Sequence, residues 1–178
     1  MIAIQKASQK DTEQLTALAR SIYREHYLHL WHPGGADWYM HEYAYAADKL
    51  EKELSDPNVA YYLAEEDGIP VAYLKLELNS VLKGHEEMSA LEVERIYIRR
   101  SATGKGIGKQ LMQFSLEKAR ELKKEIIFLK AMDSSTGAIA FYQQQGYGLC
   151  GTLHLPMPDF QLMKEEFRGM VVMMREVG

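Results

Sequence analysis

The chain has a single cysteine, Cys150, so no internal disulfide can form and no cysteine spacing is present to hold a metal. Charge of one sign is also missing. The 21 basic and 25 acidic residues leave a formal charge of -4, which gives no general attraction to phosphate backbones and excludes nucleic acid as an expected partner. No apolar run approaches the ~20 residues of a membrane span, and the opening segment Met1 to Gln14 is polar by its sixth residue. These absences predict a cytoplasmic protein in a reducing compartment, with no membrane partner. Internal repeats, linkers and low-complexity segments are lacking as well, so 1–178 reads as one domain. What is present supports that: 47% hydrophobic and 26% charged residues over 178 positions suffice for a globular core.

Ile2 and Ile4 alternate as a short strand, and Ser8 to Asp11 supply cap candidates ahead of Leu15, Leu18, Ile22 and Tyr23 at helical spacing. From His26 to Tyr45 aromatic and histidine residues crowd together around Pro33, Gly34 and Gly35, a pattern of two helical pieces joined by a loop. Ala47 to Leu54 can close as a helix before Pro57. Val59 to Glu65 and Ile69 to Leu78 flank Asp67-Gly68, a hairpin signal that pairs them antiparallel. Leu91 to Ile98 predicts a further strand, with a helix after Gly104 to Gly108. A strand at Ile126 to Ala131, a helix at Ala138 to Gln145 and strands at Tyr147 to Leu155 and Phe167 to Val177 follow. Such an order specifies a mixed α/β layer structure.

A strand that feeds through Thr103-Gly104-Lys105-Gly106-Ile107-Gly108-Lys109 into a helix offers unpaired backbone N–H groups and a helix dipole to an anion. Alternate glycines permit the positive φ values and the close approach that a phosphate nest needs. A nucleotide-binding Walker loop would require glycine at Thr103 and Ser or Thr at Gln110, and a dinucleotide fingerprint would require glycine at Lys109. Neither pattern is met, and a glycine turn without a ligand stands as the plain alternative.

Leu91-Glu92-Val93-Glu94-Arg95-Ile96-Tyr97-Ile98, the loop Thr103 to Gly108, and Ala138-Ile139-Ala140-Phe141-Tyr142 before Gly146-Tyr147 resemble the successive core motifs of the GNAT (GCN5-related N-acetyltransferase) superfamily. The spacing is similar in particular to the bacterial branch that acetylates spermidine and spermine. The resemblance implies a mixed, mostly antiparallel sheet of about six or seven strands flanked by about four helices. It also implies a V-shaped splay between the fourth and fifth strands, and acetyl-coenzyme A as co-substrate, with no metal. The pyrophosphate would lie on the amides of Thr103, Gly104, Lys105, Gly106, Ile107, Gly108 and Lys109. The pantetheine arm would pair with backbone around Ile96, Tyr97 and Ile98. The family prefers Gln or Arg at the place of Thr103 and often Asn at that of Ser135, a further contact position. Family members are often dimers, which makes a homodimer the oligomer to expect.

Acetyl transfer from a thioester needs a neutral amine, and an alkylammonium of pKa about 10.4 must first lose a proton. Glu94 lies on the strand beside the thioester, and by alternation Glu92 shares its face while Val93 and Arg95 point the other way. Both glutamates would serve equally well as ion-pair partners of nearby basic residues. Tyr142 falls where the family carries a tyrosine that protonates or hydrogen-bonds the departing thiolate; packing, as expected of Phe141, is the other use of such a ring. The small-molecule amine would meet Tyr23 to Tyr45, whose aromatic rings suit an alkylammonium while Asp37 and Glu42 attract its charge, as a polyamine would require. Such rings also build cores and interfaces. The scattered His26, His29, His32 and His41 lack metal-ligand spacing, and Cys150 is expected to pack in the sheet. A domain that binds acyl-coenzyme A as a sensor, or one that acetylates protein amines, is the competing reading.

Overall fold

Asp11 answers the N-terminal helix signal by taking the Ser8 N–H on its carboxylate at 2.8 Å, and helix α1 runs from there over Thr12–His26 with Leu15, Leu18, Ala19 and Ile22 buried. The computed structural model describes residues 1–178. Strand β1 (Ile2–Lys6) precedes α1. A 3-10 turn at Leu28–Leu30 follows it, and then helix α2 (Gly35–Trp38) runs on into a π-turn at Tyr39–Tyr43. Helix α3 (Ala47–Ser55) leads to strands β2 (Val59–Glu66) and β3 (Ile69–Ser80). The hairpin between them turns on Asp67 and Gly68, both with positive φ (52° and 80°), as a two-residue turn of matching twist demands.

Strand β4 (Ala90–Ile98), helix α4 (Ile107–Glu121), strand β5 (Ile126–Met132), helix α5 (Thr136–Gln144) and strands β6 (Gly148–His154) and β7 (Gly169–Glu176) complete the chain. The seven strands form one sheet in the order β1-β2-β3-β4-β5-β7-β6. Every neighbouring pair is antiparallel except β4 and β5, which are parallel because α4 carries the chain back across the sheet between them. The two larger hydrophobic cores lie on opposite faces. One gathers Leu74, Leu76, Leu91, Val93 and Leu129 under Leu111, Met112 and Leu116 of α4. The other gathers Tyr61, Leu63 and Tyr73 under α1, α3 and the aromatic segment.

The parallel pair is short. β4 and β5 stay in register only from Ala90 opposite Ile126 to Val93 opposite Leu129, while β4 continues to Ile98 and β5 to Met132 along β7. Beyond Val93 the sheet parts, which is the expected splay. No helix is long and apolar enough to cross a membrane.

Candidate functional site

Gly104 and Gly106 take φ values of 78° and 80° with open space where a Cβ would stand. Their use is therefore conformational: the turn needs the left-handed region that glycine enters without cost. It also leaves the backbone N–H groups of Gly104 to Lys109 without an acceptor in the protein; the flanking donors are spent, Thr103 N–H on Arg100 O and Gln110 N–H on Gly106 O. Six consecutive free donors at the start of α4 form an anion cradle. Gly108 is needed for another reason. A Cβ there would stand 3.3 Å from the Phe141 ring and 3.4 Å from Ile98, so its absence lets α4, α5 and β4 close together.

Where the sheet parts, β4 and β5 wall a cleft of about 200 Å³ lined by Glu94, Arg95, Ile96 and Tyr97 on one side and Lys130, Ala131 and Met132 on the other. Ser135, the N-cap of α5, Tyr142 of α5, and Tyr23, Tyr27 and Tyr39 also reach it. Arg99 N–H donates to Val71 O, so alternate peptides of β4 face β3 and those of Ile96 and Ile98 face the cleft. The Ile98 carbonyl is held by His26 Nε2 at 3.0 Å. Tyr97 differs from its neighbours: its peptide turns to β3 and only its ring meets the cleft.

The alternation argument for β4 fails in the structure. Lys75 of β3 stands opposite Arg95 but the next residue, Leu76, stands opposite Val93, so Glu94 is an extra residue in a β-bulge. Val93 packs on the α4 face as expected. Arg95 does not join it: the bulge turns its guanidinium over the Tyr45 ring, 5.2 Å away on the α1 face. Glu94 is on that face too, 2.9 Å from the Lys75 ammonium. A single inserted residue thus brings Glu94 and Arg95 side by side onto the cleft.

Lys75 is 4% exposed and also bridges Glu53 of α3, with Glu77 at 3.8 Å. Burial and the neighbouring Glu94 carboxylate push Glu77 up to about 7. Burial would raise Glu94 as well, but a hydrogen bond from Glu77 and the charges of Lys75 and Arg95 outweigh it and hold Glu94 down at about 2. The proton of this pair therefore sits on Glu77. Glu92 is spoken for elsewhere, with Ser80 Oγ at 3.1 Å and Lys130 Nζ at 3.6 Å. On the opposite wall, burial and then the nearby Tyr27 push the Tyr142 phenol up to about 12, so it is a neutral donor at any physiological pH.

Other expected positions lie apart from the cleft. Asp37 and Glu42 are exposed and do not line it. Trp31 stacks on Phe160 and Trp38 meets the same ring edge-on within the aromatic core. Cys150 sits on β6 but is exposed rather than packed, because β6 is the edge strand. Lys75, Glu77 and Arg95 were missed in the sequence. The first two look there like alternating surface charges of a strand, and only the bulge reveals the third.

The sequence pattern of the acetyltransferase (GNAT) family matches residues 17–147. An uncharacterized N-acetyltransferase of the pepI 3' region of Lactobacillus delbrueckii subsp. lactis is 30% identical over 145 residues, 82% of this chain and 83% of that protein. The aminoalkylphosphonate N-acetyltransferase of Salmonella typhimurium is 29% identical over 106 residues, 60% of this chain and 68% of the relative. In three dimensions the chain is similar to the PaiA N-acetyltransferase of Thermoplasma acidophilum, solved in complex with coenzyme A. The TM-score is 0.75 at 18% identity, over 99% of both chains.

Proposed function

The chain belongs to the acetyltransferase (GNAT) family and is an acetyl-coenzyme A-dependent N-acetyltransferase; we propose that it passes the acetyl group directly to a primary amine seated between Glu94 and Tyr142. The observation that carries this is that those two side chains line one cleft from opposite walls, at the point where β4 and β5 part. Coenzyme A would supply the thioester from above, its pyrophosphate on the six free amides from Gly104 to Lys109 and its arm along the Ile96 and Ile98 peptides. Ser135, at the start of α5, borders the same space.

An ammonium drawn to Glu94 gives its proton to the Glu94–Glu77 pair, and the freed nitrogen attacks the thioester carbonyl. A backbone N–H of the parted β4 edge stabilises the oxyanion. The new C–N bond forms, the C–S bond breaks, Tyr142 hydrogen-bonds the departing sulfur, and the second nitrogen proton ends on the thiol. Of acceptor classes, the cleft favours a compact amine over a polyamine. A polyamine would bring several positive charges past one carboxylate, Glu94, and beside Arg95 and Lys130. The tyrosine wall suits an alkyl chain in either case.

Coenzyme A thiol release with a panel of spermidine, short amines, amino acids and peptides tests this reading. Release that depends on an acceptor is expected; acetyl-coenzyme A binding with no acceptor-dependent release would make the domain a sensor. The loop has its own test. Gly104→Ala and Gly106→Ala each place an L-residue in the left-handed region at roughly 1–2 kcal/mol, so each should weaken acetyl-coenzyme A binding about 5- to 30-fold by calorimetry. Unchanged affinity would move the pyrophosphate off this loop.

A further inference from the structure

Arg95 is 8% exposed, lines the cleft, and its side chain has only the Tyr39 hydroxyl as a hydrogen-bond partner. Its Nη1 is fully buried without a partner. The nearest carboxylate oxygen, of Glu94, lies 4.0 Å from Nη2 and is committed more closely to Lys75 at 2.9 Å. A guanidinium carries five N–H donors in a rigid fork. Leaving the buried ones unmet is costly, and such donors in native proteins find an acceptor. The remaining support of Arg95 is the face of Tyr45, which satisfies charge but no N–H.

Resting on the acetyl-transfer reading above, we propose that Arg95 selects the acceptor: the amine it favours also carries an oxyanion, a carboxylate or phosphonate, which the guanidinium grips through its unmet donors. Planar bidentate recognition of such groups is what arginine does best. Electrostatics agree. Lys130 lines the opposite wall, and the Lys75 ammonium lies beneath, within 4 Å of Glu94, so the cleft holds the two ends of a zwitterion: a carboxylate for the ammonium and cations for the anion. Size follows from the 4.0 Å between Glu94 and Arg95. With a hydrogen bond of about 2.9 Å at each end, the nitrogen and the oxyanion of the acceptor stand no more than about 10 Å apart. Short amino acids and aminoalkyl phosphonates meet that limit; the distal amines of long peptides do not.

The test is the ratio of kcat/KM within matched pairs: β-alanine against β-alaninamide, and 2-aminoethylphosphonate against ethanolamine. The wild-type protein should prefer the anionic member of at least one pair by roughly 10- to 100-fold, chiefly through KM, and the pair that shows it names the anion. Arg95→Gln should bring that ratio close to one, while Arg95→Lys, which keeps the charge but loses the fork, should fall between. Should Arg95→Gln fail to fold, the wild-type ratio and Arg95→Lys still decide. Acetylation of both members at equal efficiency, or of spermidine and neutral amines alone, overturns the proposal and leaves acetyl transfer standing. A preference that survives unchanged in a folded Arg95→Gln also overturns it. No acceptor-dependent turnover at all removes the acetyl-transfer reading and this one together.

Discussion

Tyr142→Phe should lower kcat by roughly 10- to 100-fold and leave the affinity for acetyl-coenzyme A within about twofold. The loss is one hydrogen bond to a charge that exists only as the thiolate leaves, and an interaction made only then appears in kcat. The phenol's position in the cleft, with no hydrogen bond to the protein, leaves it free for that role. Its pKa of about 12 narrows what it does. Full transfer of its proton to a thiolate of pKa about 8.5 would run uphill by about 5 kcal/mol. Tyr142 therefore acts as a hydrogen-bond donor to sulfur, and the proton that completes the thiol comes from the amine. A consequence can be read in the same experiment: the wild-type rate should show no alkaline fall below pH 10 belonging to this phenol. Steady-state kinetics with calorimetric binding of acetyl-coenzyme A separates the terms. An undiminished kcat would reduce Tyr142 to the packing use that Phe141 makes of its ring against Gly108.

The fold was legible because its signals are local. Asp67-Gly68 set the first hairpin, the glycines from 104 to 108 set the turn into α4, and the apolar rhythm of Leu111, Leu116 and Ala119 set the helix that makes the parallel crossover. The parting of β4 from β5 is different: only the resemblance of those motifs to the acetyltransferase family implied it. The acceptor side was not legible in the same way. Period-two alternation assumes an unbroken strand, and the extra residue at Glu94 leaves no mark in composition, so Arg95 was assigned to the wrong face. Nor could spacing show that Asp37 and Glu42 would stay exposed while Lys75, from a strand on another part of the chain, would be buried among Glu53, Glu77 and Glu94. Those charges meet only through tertiary packing of α3 on β2, β3 and β4. The tyrosines divide likewise: helical spacing brings Tyr23 and Tyr27 to one face of α1, but only the closed structure decides which rings border the cleft and which, like Tyr73 and Tyr45, bond to each other at 2.8 Å beneath it.

That buried charge network leads to the prediction with the greatest effect. Glu94→Gln should lower kcat/KM by about 100-fold or more across the pH range, the usual scale for a general base, because no carboxylate then receives the ammonium. The wild-type profile should carry an acid limb near pH 7. Below that pH the pair already holds a proton, on Glu77, and cannot take another; above it both carboxylates are ionised and the pair takes the proton of the amine through Glu94 onto Glu77. The sign is fixed by this: activity rises as pH climbs through 7. Glu77→Gln should move the limb to lower pH, since Glu94, held ionised by Lys75 at 2.9 Å, has no partner left that titrates there. The two variants therefore differ in kind, one losing rate at every pH and the other shifting where rate is lost. Measuring kcat/KM from pH 5.5 to 9 for all three proteins distinguishes them. A limb that stays near 7 in Glu77→Gln would place the base outside this pair, and a Glu94→Gln enzyme of near-normal rate would give proton removal to solvent.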